Sequence, residues 1–338
     1  MAEGTNRSGG YHPREDEERL ERAARRQAAG ARRAAGDLQL YGVRVTHPDR
    51  VLWAEQGLTK RGLIDYYAGI AAWILPHLTG RPLALKRCPS GPSKVCFIQK
   101  HAWAGLHPAV QRVPIAESAG VRDYLMVDCL PGLVALAQGG ALELHPWGAT
   151  VDRLETPDRL VLDFDPGEGV GWEAVVAAAL ESRERLKAAG LESFVKTTGG
   201  KGLHVVAPLA PEAGWDALKE FAESVAAAMA ADAPDRYTTA MAKEERGGRI
   251  FVDYLRNTRG ASAVAPYSTR ARAGAPVAVP IAWEELSGIT GGNHFGVETV
   301  CAQLAARPSD PWEGFFDLRQ GLPTARKGRR AAAARRAG

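Results

Sequence analysis

Long hydrophobic runs are missing from this sequence of 338 residues, and so is a recognisable export signal. The longest apolar stretch, residues 124–137, is interrupted by Asp128, Pro131 and Gly132, so it falls well short of the roughly 20 residues that a membrane helix needs. The N-terminal residues are rich in Arg and Glu and contain no apolar run before a small-residue cleavage site. We therefore expect a cytoplasmic protein that does not associate with a membrane.

Cysteine is also scarce. The chain has four, at Cys88, Cys96, Cys129 and Cys301. So few thiols in a long chain predict reduced cysteines rather than a disulfide framework. A zinc site would have to combine Cys88 and Cys96 with His101 and His107, but their spacing fits no common zinc-ligand pattern.

Charge of one sign does not dominate, because 43 Lys and Arg stand against 39 Asp and Glu, a net charge of +4. The two ends carry +2 (residues 1–36) and +6 (residues 326–338), which leaves −4 for residues 37–325. Net charge of this size leaves the partner open, since local patches decide binding. We expect a charged helical or disordered arm over residues 1–36, a folded domain over residues 37–325 and a basic disordered tail over residues 326–338.

The hydrophobic pattern of the folded part predicts an α+β protein. In the first half, residues 59–78 have the spacing of an amphipathic helix with a Thr59 cap, and short apolar runs between Gly and Pro predict strands. The second half predicts, in order, a strand over 159–165, a helix over 172–189, strands over 193–196 and 203–208, a helix over 215–231 and a strand over 249–255.

Two aspartates mark the first strand of the second half. Asp163 and Asp165 in LVLDFDPGEG are one residue apart, so both carboxylates are expected on one face of the strand. Neighbouring carboxylates repel each other unless a cation lies between them, and hard ions such as Mg²⁺ or Mn²⁺ suit carboxylate oxygens. The alternative is a pair of strand-end aspartates that only cap a turn.

A third aspartate favours the metal interpretation. Asp253 lies in the apolar segment RIFVDYL, where a lone acid is costly without a partner or a metal. Three aspartates on strands are what a two-metal centre for phosphoryl transfer needs.

A glycine-rich segment, KTTGGKGLHVV, lies between the aspartate strands. Gly199, Gly200 and Gly202 allow the backbone to approach a ligand, Lys201 supplies a positive charge, and His204 is on the following strand. The segment is not a Walker A loop, because no Ser or Thr follows the lysine and the first glycine is missing. We interpret it as a cradle for a triphosphate; a hairpin turn with an exposed lysine is the alternative.

Two basic clusters complete the pattern. Residues 81–112 hold six Lys or Arg and no acid, with aromatic residues between them, and residues 243–272 hold seven Lys or Arg against three acids. Cationic grooves with aromatic side chains bind nucleic-acid backbones and stack on bases. Solvated surface is the alternative for any single residue of these clusters.

These segments together resemble one family. LVLDFDPGEG, KTTGGKGLHVVAP and RIFVDYLRNTRGASAVAPYSTRARAGAPVAVPIAWEEL are similar, in order and spacing, to the three motifs of the polymerase domain of bacterial DNA ligase D. That domain belongs to the archaeo-eukaryotic primase superfamily. Upstream segments such as THPDRVLW and LELHPWG extend the resemblance to about residues 40–318. No Lys-x-Asp-Gly ligase motif occurs, so we expect a stand-alone primase-polymerase without ligase or nuclease modules.

The resemblance implies a fold and a set of site residues. The fold is an α+β primase-polymerase core, with two mixed or antiparallel sheets flanked by helices: an RRM-like palm and an N-terminal α/β lobe. The implied catalytic metal ligands are Asp163, Asp165 and Asp253. The implied nucleotide-binding residues are His145, Thr198, Lys201, His204, Arg246 and Arg270. The implied DNA-binding residues are His47, Arg50 and Lys60 at a 5′-phosphate, and Lys86 and Phe97 at the template strand.

Four positions depart from the family pattern. Thr198 stands where Ser is common, His47 where Asn is common, Arg256 where Gln is frequent, and Ile98 where a second stacking aromatic often follows Phe97. These departures bear on substrate preference and template grip rather than on the chemistry.

The implied function is template-dependent nucleotidyl transfer. NTPs, with ribonucleotides preferred to dNTPs, would be added to a primer 3′-hydroxyl at gaps or double-strand breaks with a 5′-phosphate, using two Mn²⁺ or Mg²⁺ ions. The resemblance also implies DNA repair by end joining or gap filling in the bacterial cytosol or nucleoid, with a DNA ligase and Ku as candidate partners. A two-metal phosphodiesterase or nuclease, and a non-catalytic DNA-end-binding module that recruits a ligase, are the alternatives.

Overall fold

Two main β-sheets and their helices form the part of the chain that the computed structural model describes, residues 37–323. The arm predicted over residues 1–36 and the tail predicted over residues 326–338 lie outside the described residues. The α+β fold class is confirmed, with one antiparallel and one mixed sheet. No helix within residues 37–323 is long and apolar enough to cross a membrane.

The N-terminal lobe carries the smaller main sheet. Its strands are β5 (Leu83–Arg87), β6 (Phe97–Gln99), β7 (Gln111–Glu117), β8 (Gly120–Met126) and β9 (Ala141–Pro146), all paired antiparallel, with β5 next to β6, β8 and β9. Two hairpins precede it: β1 (Asp37–Leu40) with β2 (Val43–Thr46), and β3 (Val51–Trp53) with β4 (Leu58–Thr59). The helices of this lobe are α1 (Lys60–Gly69), α2 (Ala71–Leu78) and α3 (Leu130–Gln138).

The C-terminal lobe carries a six-stranded sheet in the order β13-β14-β10-β12-β11-β15. Its strands are β10 (Arg159–Pro166), β11 (Phe194–Thr197), β12 (Leu203–Pro208), β13 (Tyr237–Thr238), β14 (Ile250–Asp253) and β15 (Pro280–Ile281). All pairs are antiparallel except β13 with β14. The helices are α4 (Trp172–Ala188), α5 (Trp215–Asp232) and α6 (Val297–Ala305).

The predicted helix over residues 59–78 is two helices. The Thr59 cap is present, because its hydroxyl accepts a hydrogen bond from the Gly62 N–H at 3.1 Å. The helix is interrupted at Ile70, whose φ of −108° and ψ of 11° are not helical. A Cβ at Gly69 would lie 3.3 Å from the Cys301 sulfur, so a glycine here allows α6 to approach the end of α1 closely.

The predicted strand over residues 249–255 is too long by three residues. It ends at Asp253, whose carboxylate accepts a hydrogen bond from the Leu255 N–H at 2.8 Å and turns the chain into a short 3₁₀ segment. The side-chain amide of Asn257 then pairs with the backbone of Val161 on β10. It donates to the Val161 carbonyl at 2.7 Å and accepts from the Val161 N–H at 2.8 Å.

The expectation of four reduced cysteines is wrong for two of them. Cys88 and Cys96 form a disulfide, while Cys129 and Cys301 are free thiols. The two cysteines flank a loop between the paired strands β5 and β6, and this antiparallel pairing brings their Cα atoms to 4.3 Å. The disulfide also removes both sulfurs from the zinc alternative.

The two faces of strand β10 have different surroundings. Leu162 and Phe164 on one face are fully buried in the main core with residues of α4 and α5. Val161 on the other face belongs to a second cluster with Val206, Trp312 and Phe315. Because side chains alternate along a strand, Asp163 and Asp165 lie on this second face, on the side of the sheet opposite to α4 and α5. The prediction that both carboxylates share one face is therefore confirmed.

Gly202 has to be glycine in this fold. A Cβ there would lie 1.9 Å from the Phe164 carbonyl oxygen of the neighbouring strand. We expect Gly202→Ala to lower the free energy of unfolding by about 1–3 kcal/mol, because the clash is with backbone that cannot move freely. Urea denaturation measures this. The matched control is Gly288→Ala, where a Cβ would meet nothing within 4 Å; equal losses in both variants would contradict the explanation.

Candidate active site

A row of polar residues crosses the C-terminal sheet. In the strand register, Asp163 on β10 is directly opposite Asp253 on β14 and directly opposite His204 on β12, and His204 is in turn opposite Lys196 on β11. Residues that pair in this way lie on the same face of a sheet. All four residues are less than 8% exposed, so this row of polar residues is buried in the centre of the lobe.

Arg256 lies between two of the aspartates. Its Nε is 3.3 Å from Asp163 Oδ2 and 3.3 Å from Asp253 Oδ2, and its Nη2 is 3.3 Å from Asp163 Oδ2. Arg246 Nη1 is 3.8 Å from Asp165 Oδ2, and its guanidinium also lies over the Phe251 ring. His204 Nε2 is 3.3 Å from Asp163 Oδ2. The carboxylates are thus compensated by cationic side chains of the chain itself.

The three carboxyl groups differ in pKa. Burial and the nearby charge of Asp163 raise the pKa of Asp165 to about 6. Burial also raises the pKa of Asp253, although Arg256 opposes this. Burial alone would raise the pKa of Asp163 too, but His204 and Arg256 hold it well below its usual range. Asp163 is therefore ionised, whereas burial and the charge of Asp163 make Asp165 and Asp253 harder to ionise.

The basic members of the row are also perturbed. Burial lowers the pKa of His204 to about 4, with Lys196 adding to the effect, so the imidazole is neutral at pH 7. Burial and the charge of Arg270 lower the pKa of Lys196 to about 7. The Lys196 ammonium donates to the Thr197 carbonyl at 3.2 Å. Lys196 did not stand out in the sequence, where it reads as the first residue of the glycine-rich segment.

A cavity of about 190 Å³ opens beside this row. Among the predicted site residues, those that line it are His145, Asp163, Asp165, Thr198, Lys201, His204 and Arg270. It adjoins a wider cleft of about 570 Å³ with which it shares Gly200, Lys201 and Arg272. Arg272, which the sequence places in a basic cluster, lies at the junction of the cavity and the cleft.

The glycine-rich segment forms a closed loop beside the cavity. The Thr198 hydroxyl donates to the Gly202 carbonyl at 3.0 Å and accepts from the Gly200 N–H at 3.2 Å. A Cβ at Gly199 would lie 2.6 Å from Cγ of Arg270, so this glycine, with its φ of +62°, lets the arginine cross the loop. Thr198 therefore shapes the loop with its hydroxyl, while Lys201 is exposed at the cavity.

The residues expected at a 5′-phosphate come together near one turn. His47 and Arg50 lie between β2 and β3, and Lys60, the first residue of α1, donates to the Thr46 carbonyl at 2.7 Å. Arg50 Nη1 donates to the Pro89 carbonyl in the disulfide loop at 2.9 Å. Lys60 is only 5% exposed, and burial, with the charge of Arg50, lowers its pKa to about 8.

The backbone explains the identity of residue 47. His47 has a φ of +52°, in the left-handed region that Asn, Asp and His enter more readily than other side chains. The replacement of Asn by His noted in the sequence therefore keeps a residue type that tolerates this turn.

The two residues expected at the template lie on opposite faces of the N-terminal sheet. Lys86 pairs with Ile98 and Arg87 pairs with Phe97, so Phe97 shares a face with Arg87 rather than with Lys86. The Arg87 guanidinium lies 5.4 Å from the Phe97 ring and 4.0 Å from the Trp103 ring. Lys86 instead faces Glu143, a buried acid of β9 that the sequence patterns did not single out.

The oxygen atoms of the three aspartates are suitable ligands for a divalent cation, but their spacing in this structure does not group them around one position. Within residues 37–323, no three side chains of His, Cys, Asp or Glu are grouped closely enough to hold a metal ion as they stand. Asp163, Asp165 and Asp253 nevertheless offer hard oxygen donors on one face, and the raised pKa values of Asp165 and Asp253 reflect burial and negative charge that Arg256 compensates only in part.

Three aspartates on one face of a mainly antiparallel mixed sheet, next to a glycine-rich loop and a basic cavity, fit the primase-polymerase class. The family model described as "LigD, primase-polymerase domain" matches residues 59–312, and the chain belongs to this family. It is accordingly of the nucleotidyltransferase class, as predicted.

Curated relatives and a solved structure agree. The multifunctional non-homologous end joining protein LigD of Pseudomonas aeruginosa is 38% identical over 305 residues, which are 90% of this chain and 36% of the relative. LigD of Mycobacterium tuberculosis is 36% identical over 72% of this chain and 33% of the relative. The chain thus spans about a third of the length of these relatives. The polymerase domain of Mycobacterium tuberculosis ligase D in complex with DNA superposes with a TM-score of 0.75 at 32% identity, covering 81% of this chain and 97% of that domain.

Replacing Arg256 tests the charge balance of the row. We expect Arg256→Gln to destabilise the metal-free protein at pH 7.5 by about 1–2 kcal/mol, a modest loss because Arg256 is partly exposed. The folded pKa of Asp165, about 6, lies above its unfolded value, so its ionisation costs stability as the pH rises through 6, and more so without Arg256. The loss should shrink below pH 6.

Urea denaturation between pH 5 and pH 8, in the presence of a chelator, measures this dependence. Arg61→Gln is the control, because Arg61 pairs with the exposed Asp65 at 3.7 Å and the loss of stability in this variant should be small at every pH. A loss in Arg256→Gln that does not change with pH would contradict the charge explanation.

Proposed function

We propose that this protein is a template-dependent nucleotidyltransferase that adds nucleoside monophosphates from NTPs, ribonucleotides in preference, to a primer 3′-hydroxyl at gaps or breaks in DNA. The observation that carries the proposal is a basic cavity lined by Asp163, Asp165 and the glycine-rich loop, with Asp253 directly opposite Asp163 across the sheet, in a chain of the LigD primase-polymerase family. The setting would be DNA repair by end joining or gap filling in the bacterial cytoplasm.

Asp163, Asp165 and Asp253 would hold two divalent cations, Mn²⁺ or Mg²⁺. When bound, such ions would activate the primer hydroxyl and neutralise charge on the departing pyrophosphate. Asp163 is central among the ligands, because it is directly opposite Asp253 across the sheet and two residues before Asp165. His204, held neutral by burial, supports Asp163 through its Nε2 at 3.3 Å.

The residues around the cavity would bind the nucleotide. Lys201, Arg270 and Arg272 line it and carry positive charge, which suits a triphosphate. The Thr198 hydroxyl holds the loop in shape, and His145 faces the same space from the N-terminal lobe. Such fixed charges favour the transition state because they need no rearrangement as charge develops. Arg246, beside Asp165, would act at the edge of the phosphates.

DNA would lie along the N-terminal lobe. His47, Arg50 and Lys60 form one basic turn that would hold the 5′-phosphate of a gap or break. Lys86 and Phe97 would contact the template strand from opposite faces of the β5–β6 pair, at the β6 edge of the sheet. The solved relative is a polymerase domain in complex with DNA, and the curated relatives are named for non-homologous end joining. We propose a DNA ligase and Ku as the protein partners in this repair.

A primer-extension assay tests the proposal. The wild-type protein should incorporate NTPs, with Mn²⁺, on a 5′-phosphorylated gapped duplex, and Asp253→Ala should abolish extension because the shared carboxylate is lost. DNA affinity, measured by fluorescence anisotropy, should stay within about twofold, since Asp253 is 7% exposed and removing a negative charge does not weaken phosphate binding.

Two outcomes would contradict the assignment. Extension by Asp253→Ala with Mn²⁺ would mean that the aspartates are not the catalytic centre. No incorporation by the wild-type protein, with DNA binding intact, would favour a DNA-end-binding module.

Replacing Lys201 separates a polymerase from a nuclease. In a polymerase, Lys201→Ala should raise the KM for NTP about tenfold, because a cation at the triphosphate is lost; a nuclease on the same aspartates has no triphosphate to bind and should keep its rate. Steady-state kinetics of extension and of DNA cleavage measure both activities. Lys187→Ala is the matched control, since Lys187 is an exposed lysine of α4 that lines neither cavity.

A further inference from the structure

Glu143 is a buried carboxylate with functional side chains on every side. It lies on β9 and is 2% exposed. Its Oε2 is 2.9 Å from His145 Nε2 and accepts a hydrogen bond from Arg270 Nε at 2.8 Å. Its Oε1 accepts from the Ala271 N–H at 3.0 Å and is 3.5 Å from Lys86 Nζ. One acid thus touches three of the side chains that would bind nucleotide and DNA.

The strand register sets the two partners from the N-terminal lobe. Lys86 on β5 is directly opposite Glu143, so both side chains are on one face of the sheet. His145 follows Glu143 by two residues on the same strand and therefore shares that face. No other acid among the described residues is paired with Lys86, His145 or Arg270.

The third partner comes from the segment between β14 and β15, which packs on β9. The Leu144 N–H donates to the Ser268 hydroxyl at 2.9 Å, and the Thr269 hydroxyl donates to the Leu142 carbonyl at 2.5 Å. These bonds fix the backbone on both sides of Glu143, and Arg270 follows directly. The Arg270 backbone is therefore held by these bonds and by its own N–H, which donates to the Pro276 carbonyl at 2.8 Å, in addition to the bond from the Ala271 N–H to Glu143.

The direction of the Arg270 guanidinium does depend on Glu143. Nε donates to Glu143, and Nη1 donates to the Thr198 carbonyl in the glycine-rich loop. Nη2 has no hydrogen-bond partner within residues 37–323, and Arg270 lines the nucleotide cavity. With two of its three nitrogens held, the guanidinium offers the third in a fixed orientation, which reduces the entropy lost when a phosphate binds.

The electrostatics support a single ionised state. Burial alone would raise the pKa of Glu143, but the hydrogen bond from His145 and the charge of Arg270 hold it well below its usual range. The Glu143 carboxylate pairs with two basic side chains, Lys86 and Arg270. The cluster keeps an excess of positive charge, so it compensates its own burial and still attracts phosphate.

We propose that Glu143 is a positioning residue that holds Arg270 and His145 for the nucleotide and Lys86 for the template strand. This inference rests on the proposed function, because it assigns a purpose to the same site. Glu143 does not contact substrate itself; it joins the two lobes through side chains that do. The cluster links β5, β9, the segment after Ser268 and the glycine-rich loop through one carboxylate.

Glu143→Gln tests the proposal with little change in shape. The amide oxygen can still accept from Ala271, but it has no charge for Arg270 and Lys86. We expect the affinity for a labelled non-hydrolysable NTP to fall about tenfold and the affinity for 5′-phosphorylated gapped DNA to fall severalfold. The KM for NTP should rise more than kcat falls, because the aspartates are untouched.

The matched control is Glu181→Gln. Glu181 on α4 also accepts hydrogen bonds from two arginines and a tyrosine, Arg185, Arg236 and Tyr237, but it lines neither cavity. Its substitution should leave both affinities unchanged. Equal losses in the two variants, or no loss in Glu143→Gln, would overturn the proposal.

A double-variant cycle separates positioning from general stability. Arg270→Lys removes the fork that Glu143 orients, so adding it to Glu143→Gln should weaken NTP binding by much less than it does alone. Fully additive losses would overturn the proposal, since a merely structural acid would not act through Arg270. If Glu143→Gln does not fold, Glu143→Asp keeps the charge but shortens the reach; wild-type NTP affinity in that variant would also overturn it.

The readouts separate this inference from the proposed function. Binding of NTP and DNA by the wild-type protein without incorporation would contradict the polymerase assignment, while Glu143 would still be judged from the binding data. A wild-type protein that binds neither ligand would overturn both.

Discussion

The mutual repulsion of three carboxylates on one sheet face is the constraint on which the site depends. The β10–β14 register places Asp163 directly opposite Asp253, and the alternation of side chains adds Asp165 to the same face. Such an arrangement is costly in a folded protein unless positive charge is supplied nearby. Arg256 and Arg246 supply this positive charge from within the chain, and the neutral His204 adds a polar partner 3.3 Å from Asp163. The basic character of the cavity therefore follows from the acidic row as much as from any ligand.

Much of the C-terminal lobe could be predicted, because the sequence patterns that indicate its strands and loops are local. Residues 159–165 read as a strand with two acids on one face, and the glycine-rich segment reads as a loop between two strands, since alternation and glycine act over a few residues. The end of β14 could not be predicted from RIFVDYL, because it depends on the Asp253 carboxylate accepting the Leu255 N–H and on Asn257 pairing with Val161. Both contacts exist only once the chain is folded.

The same distinction explains the site residues that the sequence did not reveal. Glu143 is two positions from His145 in LELH, yet its importance comes from Lys86 and Arg270, which are 57 and 127 residues away in the chain. Lys196 becomes part of the polar row only through its pairing with His204. The Cys88–Cys96 disulfide likewise depends on the β5–β6 pairing rather than on cysteine count. Long-range pairing is the information that composition and short motifs lack.

Arg256 gives the proposed chemistry a particular starting point. Where the family often has Gln, this chain has a cation 3.3 Å from both Asp163 and Asp253. Under the proposed function, a divalent cation held by Asp163 and Asp253 would compete with the guanidinium for the same carboxylate oxygens. Arg256 also lines the cavity of about 190 Å³ beside the aspartates, so its charge would face the phosphates of a nucleotide bound there. Arginine in place of glutamine thus exchanges a neutral neighbour for a charge that compensates the aspartates.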